Sequence, residues 1–152
     1  QEVVNRIAPI TTQQKVVVTV NKIPADIQRQ IQIDPQLFSQ ALFNIIEYSV
    51  YRNKLGGEMS ISIEDEDDAY VICISDNGPG ISVVDINKIF TDPSVLELHG
   101  ESPRINMGIQ LAKSIIERHH GEIWVTSKLG QGSQFFVKIP RYSLMNPSDH
   151  SI

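Results

Sequence analysis

The sequence predicts an α+β domain in two layers, a mostly antiparallel sheet of about five strands packed on three helices. Three observations predict it. Short runs with a two-residue hydrophobic alternation recur along the chain, two long segments carry helical periodicity between them, and 152 residues with 41% hydrophobic content suffice for one buried core. One cysteine, Cys73, excludes an internal disulfide, and 13 basic against 18 acidic residues leave a charge of -5 that argues against nucleic-acid binding. No apolar run approaches the ~18 residues of a spanning helix, and no secretory signal opens the chain. The expectation is one soluble domain of intracellular type, excised from something longer.

The elements follow in order. Glu2 to Ile10 reads as a short helical lead-in that Pro9 helps to end. Lys15 to Val20 is β-branched and strand-like, and Gln30 to Ile33 could add a short edge strand. Asp34 stands where a helix cap belongs, with Pro35 at the first helical position. From Leu37 through Ala41, Leu42, Ile45 and Ile46 to Val50 the apolar residues keep the spacing of a buried helix face, which runs to about Arg52. Met59, Ile61 and Ile63 alternate with Ser60, Ser62 and Glu64 as a strand, and the acidic run Asp65 to Asp68 reads as its solvated hairpin turn. Tyr70 to Ser75 is a second strand, and a short helix is expected over Val84 to Phe90. Thr91 to Arg104 lacks periodicity and carries Pro93, Gly100 and Pro103, the character of a lid or functional loop. Met107 to His119 is helical, and Glu122 to Ser127 and Gln134 to Ile139 are strands joined by the tight turn Lys128 to Gly132. Residues 1–141 form the expected domain, followed by a polar tail over 142–152.

The chemistry concentrates where the second strand runs into Asp76-Asn77-Gly78-Pro79-Gly80-Ile81. A strand ending in an acid followed by two glycines puts a carboxylate at the base of a loop. The carboxylate can accept from an exocyclic amine, and the glycines let a flat ring approach the backbone. The same hexapeptide also fits an ordinary Asn-Gly turn.

The following segments decide between these. Asp76 to Ile81 resembles the first glycine box of the histidine-kinase ATPase family, shared with gyrase B and MutL. Ile89-Phe90 is similar to the start of its phenylalanine box, and Gly108-Ile109-Gln110-Leu111-Ala112 to its second glycine box and helix. His119-His120-Gly121-Glu122-Ile123-Trp124-Val125, then Ser127, then Gly130-Gln131-Gly132-Ser133-Gln134-Phe135 and Ile139-Pro140 resemble the end of the catalytic domain of bacterial sensor kinases. Asn44-Ile45-Ile46 falls where the asparagine-box helix belongs. The resemblance covers about residues 1–141, in order.

It implies a Bergerat-type sandwich in which ATP lies between the helices and a lid over Thr91 to Arg104. By position, Asp76 would accept from the adenine amine, with Asn77, Gly78, Gly80 and Ile81 forming the loop under the base. Ser133 would take the place of a threonine that reaches adenine through water. Gly108 would present a backbone N–H to the phosphates at a helix N-terminus, and Arg104 is a candidate phosphate contact. Asn44 matches the first asparagine of the asparagine box and is a weak candidate for contact with Mg2+. The usual magnesium ligand position, however, is Tyr48, a phenol and a poor ligand for a hard cation. The usual basic position is Tyr51, with Arg52 adjacent, and two of three glycines in the second glycine box are Asn106 and Gln110. The base half of the site is intact and the metal and phosphate half is altered.

The implied function is the ATP-binding catalytic domain of a two-component sensor histidine kinase. It would transfer the γ-phosphate of ATP, with Mg2+, to a histidine on a separate dimerisation domain. Implied partners are that domain, a second copy of the full-length protein and a response regulator receiver domain, with no nucleic acid. The implied location is the cytoplasm, as part of a soluble or membrane-bound sensor. Two other readings stay open: a degenerate domain acting as a regulatory or interaction module, and a module that binds adenine nucleotide without magnesium. None of His99, His119, His120 and His150 has the context of a phosphoacceptor, so the catalytic histidine is expected outside this chain.

Overall fold

In the computed structural model, which describes residues 1–21, 23–25, 31–53, 56–92 and 103–141, the chain opens with α1 (Glu2–Gln14), β1 (Val16–Val20) and α2 (Pro35–Arg52). A hairpin of β2 (Gly57–Asp65) and β3 (Ala69–Asp76) follows, then the single turn α3 (Val83–Ile86), α4 (Pro103–Arg118), β4 (Glu122–Lys128) and β5 (Gly132–Pro140). The strands form one sheet in the order β1-β2-β3-β5-β4. β1 runs parallel to β2 and every other pair is antiparallel, so the sheet is mixed.

Strand alternation sorts the side chains by face. Ile72 and Ile74 of β3 pair in register with Val137 and Phe135 of β5, which in turn face Ile123 and Val125 of β4. These residues join Phe38, Ile45 and Ile46 of α2 and Ile109, Ala112 and Ile116 of α4 in one core cluster. On the other face Trp124 stacks on Phe136, with ring centroids 5.2 Å apart. The inward row does not stay apolar to its end. Its last members are Asp76, Ser133 and Ser127, aligned by register on β3, β5 and β4. A sheet whose buried face ends in a carboxylate and two hydroxyls has a polar site built into one edge of its core.

The start of α2 is fixed from two sides. The Asp34 carboxylate accepts from the N–H groups of Gln36 and Leu37, 3.0 Å each, and Pro35 occupies the first turn. The Asp34 N–H donates to Nε2 of His119 at 2.9 Å. Nδ1 of His119 lies 2.7 Å from the carbonyl of Ile115, which can only accept, so Nδ1 carries the proton.

Four expectations need correction. Pro9 does not end α1, which continues to Gln14 and closes on Lys15 at φ 54. Val3 and Ile7 are buried and Ile10 packs against the core, so a continuous apolar stripe outweighs the missing Pro N–H. Ile31 to Ile33 form no strand: Ile31 and Ile33 pack on the core as an extended lead-in to α2, and Gln30 lies outside the described residues. The short helix is the single turn Val83–Ile86 rather than a span to Phe90, and α4 begins at Pro103 rather than Met107. A proline is favoured at the first helical position, where its missing N–H has no partner to lose. Of the expected lid, residues 93–102 lie outside the described residues, as does the tail over 142–152.

Candidate nucleotide site

The polar end of the sheet meets α2 and the loop that follows β3. Asp76 is 9% exposed. Its Oδ1 accepts from the N–H of Gly78 at 2.9 Å, and the Asn53 amide and the Ser133 N–H also reach the carboxylate. Burial raises the Asp76 carboxyl above the usual carboxylate range, and these hydrogen bonds offset the rise only in part. A desolvated carboxylate held by backbone donors is suited to accept from a flat, neutral amine. Ser133 is buried, and its Oγ lies 2.9 Å from Oγ of Ser127. The Ser127 hydroxyl donates to the Gly132 carbonyl and accepts from the N–H of Ile81, at 2.8 and 2.7 Å. The two serines thereby pin the glycine loop to the sheet edge.

The glycines are required by space. A Cβ on Gly78 would lie 2.8 Å from Oδ1 of Asn53 and 3.0 Å from Oδ1 of Asp76, inside the pair that positions the carboxylate. Gly80 has φ +75, and a Cβ there would come within 2.3 Å of the Lys128 carbonyl oxygen. Ile81 is a core residue beneath the loop. Asn77 points the other way: its Oδ1 accepts from the Glu58 N–H at 2.8 Å, tying the loop to the start of β2. Asn77 therefore staples the loop to β2.

At the end of α2 the sequence reading missed Asn53 and noted Arg52 only as a basic residue beside Tyr51. Asn53 donates to the Ser49 carbonyl at 2.8 Å and supports Asp76. Arg52 donates to the Gly80 carbonyl at 2.7 Å and places its guanidinium 5.7 Å from the Tyr48 ring centroid. The signal for Asn53 was position, since a polar residue at a helix end beside a glycine loop has backbone carbonyls to serve. A cavity of about 400 Å³ lies here, lined by Arg52, Asn53, Gly56, Asn77, Gly78 and Pro79.

In the expected phosphate and metal half the side chains contact one another and the backbone. Gly108 sits in the second turn of α4, where its N–H belongs to the i−4 carbonyl and cannot reach a phosphate. Its role is contact, because a Cβ would come within 3.3 Å of Cγ of Asn44. Asn44, the expected metal contact, ties the helices together: Nδ2 donates to the Gly108 carbonyl at 3.1 Å and Oδ1 accepts from Gln40 at 2.7 Å. Arg104, the expected phosphate contact, holds Glu47 through two hydrogen bonds of 3.2 and 2.7 Å. Tyr48 is 1% exposed and packs edge-on against Phe135 at 5.7 Å.

Magnesium does not fit this arrangement. It demands oxygen ligands in near-octahedral geometry. Here the Asn44 oxygen is occupied, Glu47 is neutralised by a guanidinium, and Tyr48 is a packed core ring. Among the described residues no group of three His, Cys, Asp or Glu side chains comes together in a way that could hold a metal ion.

A five-stranded mixed sheet backed by helices, with a buried aspartate at the base of a glycine loop, defines a nucleotide-binding ATPase class. The chain belongs to the family described as Histidine kinase-, DNA gyrase B-, and HSP90-like ATPase, matched over residues 33–143. It is 32% identical over 123 residues to the adaptive-response sensory kinase SasA of Synechococcus sp. (strain JA-2-3B'a(2-13)), covering 80% of this chain and 32% of that kinase. It therefore spans about a third of the length of that relative. Among solved structures, the catalytic domain of histidine kinase ThkA matches with a TM-score of 0.77 at 21% identity, covering 92% of this chain and 88% of that one. Full-length ShkA in complex with AMPPNP matches with a TM-score of 0.75 at 18% identity, over 93% of this chain and 29% of that one. ThkA in complex with the response regulator protein TrrA matches with a TM-score of 0.73 at 21% identity, over 93% of this chain and 39% of that one. The fold is thus that of a histidine-kinase ATPase catalytic domain, and among the described residues no helix is long and apolar enough to cross a membrane.

Proposed function

We propose that this domain binds ATP as the catalytic part of a two-component sensor histidine kinase, presenting the γ-phosphoryl to a histidine on a separate dimerisation domain. The observation that carries the reading is Asp76, a buried carboxylate held at the base of a loop whose two glycines have no room for side chains. In this reading Asp76 accepts from the adenine amine, Gly78 and Gly80 admit the ring, and Ser133 orients it from β5. The acceptor imidazole attacks the γ-phosphorus in line, and the terminal bridging oxygen leaves with ADP. A neutral imidazole is already nucleophilic, so this chain need only bind and orient. The similarity to a sensory kinase supports a sensory-kinase setting, and the likeness to ThkA in complex with the response regulator protein TrrA supports a response regulator as partner; a homodimer of the full-length protein and a cytoplasmic location belong to the same proposal. The proposed test is titration of the chain with ATP by calorimetry, alongside Asp76→Ala. Saturable binding that the variant loses is the expected result, and equal binding by both proteins would remove Asp76 from the site.

A second reading is favoured by the metal half. With Tyr48 packed on Phe135 and Asn44 bound between helices, a regulatory domain that does not transfer phosphate fits the same fold. Incubation with labelled ATP and the dimerisation domain of the full-length protein separates the two. Acid-labile label on the acceptor supports transfer, and its absence despite ATP binding supports regulation.

A further inference from the structure

We infer that the open edge of β4 is an interface for a second copy of this chain, the two strands pairing antiparallel about Val125 so that the sheets join into one. The pairing needs no nucleotide at the Asp76 loop. Three features of the strand point to it.

The first is the edge itself. β4 stands at the end of the sheet order, with β5 as its single strand neighbour. Backbone N–H and C=O groups alternate sides along a strand, so every second residue of β4 turns both away from β5. Among the described residues no backbone-to-backbone hydrogen bond reaches β4 from outside its hairpin with β5. The second is the lack of protection. Exposed edges are blunted by a bulge, a proline, a charge in mid-strand or a very short strand. β4 has seven residues and no proline, and its pairing with β5 runs in unbroken register from Glu122 to Lys128. Its mid-strand residue Trp124 is 37% exposed.

The third is the charge pattern, which names the occupant. β4 carries its two charges at opposite ends, Glu122 and Lys128, both exposed and both on the outer face with Trp124. When two copies pair antiparallel about Val125, Glu122 of each copy faces Lys128 of the other, and Trp124 faces Thr126. That register is also the one in which all seven residues find a partner. Opposite charges set directly across from each other on neighbouring strands attract, and like charges there repel. Neither charge is spent within the chain, since among the described residues neither side chain makes a salt bridge. Lys138, which stands across from Glu122 on β5, already holds Glu66 at 3.0 Å. The opposite edge, β1, has no charged residue among its five and offers no such match.

The test is sedimentation equilibrium of the chain over rising concentration at low salt, where a reversible dimer is expected. Glu122→Lys and Lys128→Glu each set like charges face to face twice per dimer, and each is expected to weaken dimerisation about tenfold. Mixing the two variants in equal amounts restores both attractions in the mixed dimer, because the introduced lysine meets the introduced glutamate and the native pair meets across the axis. The mixture is expected to associate within about threefold of wild type. A wild-type chain that stays monomeric at ~1 mM would overturn the interface. Dimers that ignore both reversals would place the contact elsewhere, β1 included, and overturn the role of β4. A mixture no tighter than the separate variants would overturn the register about Val125. Should circular dichroism show either reversal unfolded, Glu122→Gln and Lys128→Gln take their place. Each is expected to weaken the dimer about threefold, and unchanged association would count against the pairing.

Discussion

The Glu47–Arg104 pair makes a quantitative claim about stability, because it joins the middle of α2 to the first turn of α4. Substituting Arg104 by Met removes two charge-assisted hydrogen bonds and leaves a carboxylate at 4% exposure without its cation. Breaking a fully buried pair costs about 3–5 kcal/mol, whereas exposed pairs contribute about 0–1 kcal/mol. The guanidinium here is 65% exposed, so water can partly replace it, and the expected loss is about 2 kcal/mol. Glu47→Leu leaves an arginine already facing solvent, and its loss is expected to be about 1 kcal/mol. The double variant removes both charges and places a leucine against the core. It is expected to be less destabilised than the sum of the singles, with a coupling energy of about 1–2 kcal/mol. Urea unfolding of all four proteins at constant m value measures this directly. Additive singles, with a coupling below about 0.3 kcal/mol, would mean that the pair does not form in solution, and the positioning of Arg104 would fall with it.

Four further outcomes follow from the geometry. Gly80→Ala places a side chain at φ +75 against the Lys128 carbonyl and is expected to cost more than about 2 kcal/mol, read as a lower Tm. For Asp76, burial makes the folded state hold its proton more tightly than the unfolded chain does. Ionisation therefore weakens the fold as pH rises from the unfolded to the folded pKa, and wild type should lose stability relative to Asp76→Asn as pH climbs above the ordinary carboxylate range, measured by urea unfolding. His119→Ala removes the acceptor for the Asp34 N–H and an edge contact with Phe38, and is expected to cost about 1 kcal/mol with faster amide exchange at the start of α2. Tyr48→Asn empties a core position and is expected to cost about 3 kcal/mol, while ADP titrations become tighter in magnesium than in EDTA.

The strands were legible because one face of each is buried, and alternation such as Met59-Ser60-Ile61-Ser62-Ile63 reports that directly. The start of α2 was legible because Asp34-Pro35 is a chemical signal for a helix end, which the carboxylate then satisfies with two N–H groups. Pro9 misled because local geometry was weighed without the stripe of Val3, Ile7 and Ile10 that packs on the core. Pro103 carried the same signal as Pro35, four residues before the expected start of α4. Giving it weight would have moved Gly108 from the first turn of the helix to the second. Glu47 was not read from the sequence, although a carboxylate on a largely buried helix calls for a cation. The identity of that cation is a tertiary fact, 57 residues away along the chain.

The split between the two halves of the site has a physical origin in what each half demands of the fold. The base half is built from backbone: N–H groups of Gly78 and Ser133, a carbonyl at Gly80, and glycines that fit where nothing larger can. Altering it breaks the β3–loop–β5 junction, so on the proposed reading folding and adenine recognition share the same contacts. The metal half is built from side chains on α2 and α4, helices that stay packed whatever those side chains are. Tyr48 buries a ring against Phe135 where a small polar ligand would bury little, and Arg104 gains a buried carboxylate. Each replacement exchanges an affinity for a cation for contact within the fold. On the proposed reading, a chain built in this way keeps its sheet, its glycine loop and the pocket beside Asp76, while packing between α2 and α4 takes the room that a metal site would need.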